Sequence, residues 1–136
     1  MSGISQTLLA GGMLKVNLVI AADYSLGYVI YDQMCLALGY TPQVPVDVTL
    51  TVNSGVNVVA SSPSFASIDS GVDYVSGSKL AILNLGNILG RGGQGGPGGW
   101  AAQASPWAGG GSPGGPGGPG LIIRYPTTID NGSGTI

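Results

Sequence analysis

Residues 90–120 constrain this chain more than any other stretch, because nearly half of them are glycine. They read Gly-Arg-Gly-Gly-Gln-Gly-Gly-Pro-Gly-Gly-Trp, then an interruption at residues 101–108, then Gly-Gly-Gly-Ser-Pro-Gly-Gly-Pro-Gly-Gly-Pro-Gly. Glycine loses more backbone freedom on ordering than any other residue, so neither a helix nor an ordinary strand forms from such a run. The glycines fall in triplets: Gly92 and Gly93 follow Arg91, Gly95 and Gly96 follow Gln94, Gly98 and Gly99 follow Pro97, and the pattern returns after Pro113 and Pro116. A period of three predicts a threefold extended helix of the polyproline or polyglycine II type, which has no internal hydrogen bonds. Its buried amides then need partners on neighbouring strands. With two side chains of three missing, those backbones can approach closely. Collagen would need an uninterrupted run of such triplets in three chains, and the break around Trp100 and Trp107 argues against it. A flexible glycine linker is the competing reading, in which paired tryptophans are out of place.

The flanking sequence reads as β structure. Residues 14–20 place Leu14, Val16 and Leu18 on one face, and residues 46–52 alternate Val46, Val48, Leu50 and Val52 with Asp47, Thr49 and Thr51. Both patterns are those of half-buried strands. Further strands are expected at residues 56–60, 79–85, 121–125 and 127–129, with loops at 61–78 anchored by Phe65, Ile68 and Val72. One α-helix is expected at about residues 25–38, started by Asp23 or Ser25 and stopped by Gly39, with Tyr24, Tyr28 and Tyr31 as packing residues. Residues 1–13 read as an extended N-terminal arm, with Ser2, Ile4, Leu8 and Leu9 docking on a neighbour, and residues 14–136 as one β-rich domain carrying the insertion 90–120.

An apolar–Asn–Gly–apolar pattern recurs around Asn53, Asn84 and Asn131, at separations of 31 and 47 residues. It suits either stacked coils of a short β-solenoid or successive hairpins of a small β-sandwich. The solenoid would stack the asparagines and leave the glycine stretch as an insertion on one face.

Composition removes several classes of function. Only Lys15, Lys79, Arg91 and Arg124 oppose six aspartates, for a net charge of −2. That balance supplies no basic patch for nucleic acid. There is no histidine and no glutamate, so the common acid–base residues are missing. Asp69 and Asp73 sit in a loop-like stretch, and Cys35 has no histidine to activate it. The single cysteine reads as a buried inert thiol. No Cys/His cluster suggests a metal, no Gly-Lys-Ser/Thr ending makes the glycine run a phosphate loop, and no cofactor is expected. No window reaches the roughly 18 apolar residues of a membrane span, and the N-terminus lacks a secretory pattern. Surfaces are typically about a quarter to a third charged, so charge this sparse suggests that other subunits cover much of the protein.

Several segments together carry a resemblance: Leu38-Gly39-Tyr40, Val-Asp-Val-Thr-Leu-Thr-Val-Asn-Ser-Gly-Val at 46–56, Leu-Asn-Leu-Gly-Asn-Ile-Leu-Gly-Arg-Gly-Gly at 83–93, Leu-Ile-Ile-Arg-Tyr at 121–125 and Ile-Asp-Asn-Gly-Ser-Gly-Thr-Ile at 129–136. The chain resembles glycine-rich virion proteins of tailed bacteriophages, notably tail-fibre tip domains and receptor-recognition adhesins. The resemblance implies glycine strands packed as threefold helices, with loops between them facing a host receptor. Two non-enzymatic roles follow. The first is a small capsid-decorating or minor capsid protein, a homotrimer seated on the major capsid protein. The second is a tail-tip adhesin that presents its glycine-rich loops to a host surface receptor. The first is preferred here because only a short arm precedes the domain. The interaction surface is expected to comprise Arg91, Gly92, Gly93, Gln94, Gly95, Gly96, Pro97, Gly98, Gly99, Trp100, Trp107, Pro113, Pro116 and Pro119.

Overall fold

The computed structural model describes residues 2–8, 13–96 and 111–136, with backbone alone for residues 2–8. Its strands are β1 (Ser2–Leu8), β2 (Leu14–Ile20), β3 (Tyr28–Val29), β4 (Val46–Val52), β5 (Asn57–Val59), β6 (Ile68–Asp69), β7 (Lys79–Asn84), β8 (Asn87–Leu89), β9 (Leu121–Ile122) and β10 (Thr128–Asp130). One helix among the described residues, α1 (Ile30–Leu38), follows β3.

The protein is mainly β, and of the two architectures the sequence leaves open it adopts the solenoid. Strands β2, β4, β7 and β10 pair in parallel, each with its counterpart one coil on. Strands β3, β6 and β9 do the same on a second side. On the third side β5 pairs with β8, extended by isolated bridges from Tyr24 to Val58 and from Asn87 to Thr135. The chain therefore winds through three coils and begins a fourth. Strand β1 lies antiparallel along the free edge of β2, so residues 2–8 of the expected arm form a strand on the first coil.

Register explains why this winding holds. Leu14 stands beside Val46, Val16 beside Val48 and Leu80, and Leu18 beside Leu50 and Ile82. All of these side chains are buried. Each is worth about 1.5–3 kcal/mol relative to exposure, and a slip of one residue would turn the whole set outward. The outer face carries Lys15, Asp47 and Lys79 on successive rungs, alternating in sign.

The last rung, Ile20–Val52–Asn84, ends in a polar side chain that is fully buried. The Asn84 amide donates to Asn131 Oδ1 at 2.7 Å and to the Thr135 carbonyl at 2.9 Å, and its oxygen accepts from the Gly86 amide at 3.2 Å. The expected asparagine stack thus joins Asn84 to Asn131. Asn53 falls one residue out of it, because Asn84 pairs with Val52. A second ladder joins Asn87 to Asn57 at 2.8 Å.

The helix is shorter than its periodicity suggests. Gly27, at φ +83°, turns the chain, and the Tyr28 amide donates to Ser67. Tyr28 and Val29 then pair with β6, so the helix starts at Ile30 with no side-chain cap. Tyr24 and Tyr28 consequently lie outside it. The carboxylate of Asp23 accepts from the Asn57 amide, 2.8 Å away, in the next coil. The far end is as expected, with Gly39 in the left-handed region at φ +79°.

A corner of the solenoid is built from one tyrosine per coil. The rings of Tyr31 and Tyr74 lie 5.0 Å apart, and those of Tyr74 and Tyr125 4.7 Å apart. Burial pushes the Tyr74 phenol well above its ordinary value, with Cys35 adding to the shift. Cys35 itself is half-buried rather than enclosed. Phe65 and Val72 are exposed, so Ile68 is the anchor of the 61–78 loops. Among the described residues no helix is long and apolar enough to cross a membrane.

Candidate functional site

The glycine stretch leaves the solenoid after β8 and returns at β9. Its two described legs run against each other. The Gly115 amide donates to the Gln94 carbonyl at 2.7 Å, and the Gly118 amide to the Arg91 carbonyl at 2.8 Å. A side chain on Gly90, Gly93 or Gly96 would collide with the carbonyls of Gly118, Gly115 and Ser112 in turn. From the returning leg, a Cβ on Gly114 would come within 2.8 Å of the Gln94 oxygen, and one on Gly117 within 3.1 Å of the Arg91 oxygen. Contacts recur every third residue on both legs, the spacing of a threefold extended helix.

The triplet therefore has a division of labour. One glycine faces the partner leg. The side-chain-bearing positions Arg91, Gln94, Pro113, Pro116 and Pro119 are exposed. Gly92 and Gly95 face open space, with no described atom within 4 Å of an added Cβ. On the departing leg the packing requirement falls on Gly90, Gly93 and Gly96, and not on Gly92 or Gly95 of the surface expected from the sequence. Pro97, Gly98, Gly99, Trp100 and Trp107 lie outside the described residues, as does Leu9 of the arm.

The root of this hairpin is bolted to the second coil. Fully buried Ser67 donates its hydroxyl to the Leu89 carbonyl where the chain leaves, and accepts from the Ala60 amide at 2.9 Å. Its own amide donates to Pro119 at 3.2 Å, and that of Ile68 to Gly120 at 2.9 Å, where the chain returns. Next to it Gly118 packs on the backbone of Pro63 so closely that a side chain would clash. Sequence reasoning missed Ser67, since a serine in a Ser-rich loop carries no local signal of a partner 22 residues away.

The arrangement is a pair of backbone-packed legs hydrogen-bonded into a corner of the solenoid. Among the described residues no group of His, Cys, Asp or Glu could hold a metal ion. The family model for the phage tail fibre adhesin Gp38 matches residues 15–136. The chain belongs to that family. No curated protein and no solved structure matches it. The Gp38 family match covers the solenoid and the hairpin together. It agrees with the resemblance seen in the sequence, and among the two roles raised there it favours the tail-fibre adhesin. It lends nothing to the capsid-decorating role that the sequence favoured, so that order is reversed. The preference rested on the short segment ahead of the domain. Most of that segment is β1, hydrogen-bonded along β2.

Proposed function

We propose that this chain is a non-enzymatic receptor-binding tip of a phage tail fibre. The solenoid is the mount and the glycine hairpin is the presenting element. The observation that carries this reading is the hairpin itself, in a chain of the adhesin family. Two legs packed glycine to backbone hold a thin projection with few side chains of its own, rooted through Ser67 in the hydrophobic solenoid. Such a scaffold suits contact residues carried by the segment that joins its legs, because a pre-ordered support lowers the entropy lost on binding. The segment between the legs, residues 97–110, contains Trp100 and Trp107. Tryptophans are enriched at binding hot spots, and these two are the proposed receptor contacts, flanked by Arg91, Gln94 and Pro97.

The partners are then a host surface receptor and another fibre protein. Strand β1 offers the second contact. Its outer edge has no partner strand among the described residues, and unpaired edges readily accept a strand from another chain. The docking set Ser2, Ile4, Leu8 and Leu9 belongs to this strand and the residue after it. The family match supports fibre and receptor partners; it offers nothing for a homotrimer or a capsid partner.

Copy number separates the two virion roles. Quantitative mass spectrometry of purified particles against the major capsid protein is expected to find a handful of copies. A count in the hundreds would return the protein to the capsid surface.

A further inference from the structure

At the corner where the hairpin is rooted, the outer face of the second solenoid side carries a groove of about 190 Å³. Its floor is the outward stripe of β3, β6 and β9, where Val29, Asp69 and Ile122 stand in register on successive coils. Leu26 and Phe65 form one wall, and they are 70% and 59% exposed. Other apolar side chains, Leu36 among them, are as exposed elsewhere; what sets these two apart is that they line one groove together with a carboxylate and a guanidinium.

The polar centre of the groove is held from behind. Asp69 accepts from the Gly71 amide at 2.9 Å, and both its oxygens accept from Arg124 Nε at 2.9 and 3.0 Å. The Arg124 amide donates to Ser70 Oγ at 2.7 Å, so the arginine is fixed at backbone and side chain alike. Nε is only one nitrogen of the guanidinium fork, and half of the side chain is open to solvent, at 51%. The groove thus pairs an apolar wall with a positioned carboxylate and the outer edge of a guanidinium.

We propose that this groove binds one sugar ring of a bacterial surface polysaccharide. The apolar C–H face of the ring would lie on Phe65 and Leu26, with Val29 and Ile122 beneath its edges. Its hydroxyls would donate to Asp69 Oδ2 and accept from the two terminal Arg124 nitrogens, which are charge-assisted bonds. The size agrees: drug-sized ligands occupy roughly 300–1,000 Å³, and this groove is smaller, one ring in extent. The inference rests on the host-facing reading above and gives the hairpin a neighbouring glycan contact.

The test is saturation-transfer NMR on the full chain with glucose, galactose and N-acetylglucosamine as probes. Transfer to the ring protons of at least one sugar is expected, with a dissociation constant of about 1–10 mM. Phe65→Ala should weaken that binding at least ten-fold at an unchanged melting temperature, and Leu26→Ala serves as a second variant should Phe65→Ala unfold. No transfer from any probe, or transfer that both variants preserve, overturns the proposal. Adsorption of labelled wild-type protein to host cells, measured alongside, separates the two readings. Adsorption without sugar binding removes the groove and leaves the adhesin. Sugar binding lost in Phe65→Ala, without cell adsorption, keeps the groove and removes the adhesin.

Discussion

The hydroxyl of Ser67 donates to the carbonyl of Leu89, tying the second coil to the last residue before the glycine hairpin departs. The same oxygen accepts from the Ala60 amide. Ser67→Ala removes both bonds inside a fully buried site, and stranded buried groups cost about 1–3 kcal/mol each. The variant is expected to melt several degrees lower in differential scanning calorimetry. Amide exchange should rise at Ile68, whose N–H bonds the returning leg.

Two neighbouring glycines should respond in opposite ways. Gly93→Ala drives a methyl into the Gly115 carbonyl, whereas Gly92→Ala points into open space. Neither position has a left-handed φ that would strain an L-residue. Overpacking costs about 1–3 kcal/mol, while alanine at a compatible open site is neutral or stabilising by about 0.4–1 kcal/mol. Calorimetry combined with exchange at the Gly115 amide, which bonds Gln94, reads both effects. Equal responses would show that the legs do not pack through every third residue.

Asn84 organises the turn that hands the chain from one solenoid side to the next. Asn84→Leu fits the apolar rung of Ile20 and Val52 but strands the Gly86 amide and leaves the Thr135 carbonyl with the Ile88 amide as its donor. We expect a loss of about 1–3 kcal/mol on that ground, and faster proteolysis after β10, since Asn131 and Thr135 each lose the Asn84 amide. Denaturant melts with proteinase K sampling would report it.

Tyr28 shows the converse. Its hydroxyl is buried with no hydrogen-bond partner among the described residues, so Tyr28→Phe should keep or raise the melting temperature. Burial, assisted by Tyr24, also pushes its phenol up to about 12. Because the unfolded chain loses that proton near pH 10 and the folded chain holds it, unfolding releases protons and stability falls with rising pH. The stabilisation is complete below about pH 10 and is lost as pH climbs towards about 12. Melting curves between pH 8 and pH 11.5 should fall less steeply for Tyr28→Phe than for wild type.

The strands that carry core side chains at period two are legible in the sequence itself. Val46–Val52 and Leu14–Ile20 lie where their alternation places them. What alternation cannot express is which strand meets which, and that is why it leaves sandwich and solenoid both open. The offset of 32 residues that aligns Val16, Val48 and Leu80 is hidden by unequal corners and by the glycine insertion. Helical spacing misleads at residues 25–29. There a non-local bond from Tyr28 to Ser67 and the left-handed Gly27 override local propensity. Within the candidate site, the triplet period exposes the packing principle but cannot say which glycine of each triplet faces the partner leg. Ser67 and the Asp69–Arg124 pair are invisible in the sequence for one reason: their partners lie 22 and 55 residues away.

Adsorption competition tests the central claim most directly. Host cells are incubated with excess purified protein, washed and challenged with the phage that carries it, and free phage is then titrated. An adhesin occupies the receptors, so adsorption should fall in proportion to protein bound, and Trp100→Ala with Trp107→Ala should relieve the block. Unchanged adsorption at saturating protein, with the protein folded by calorimetry, would contradict a receptor-binding role.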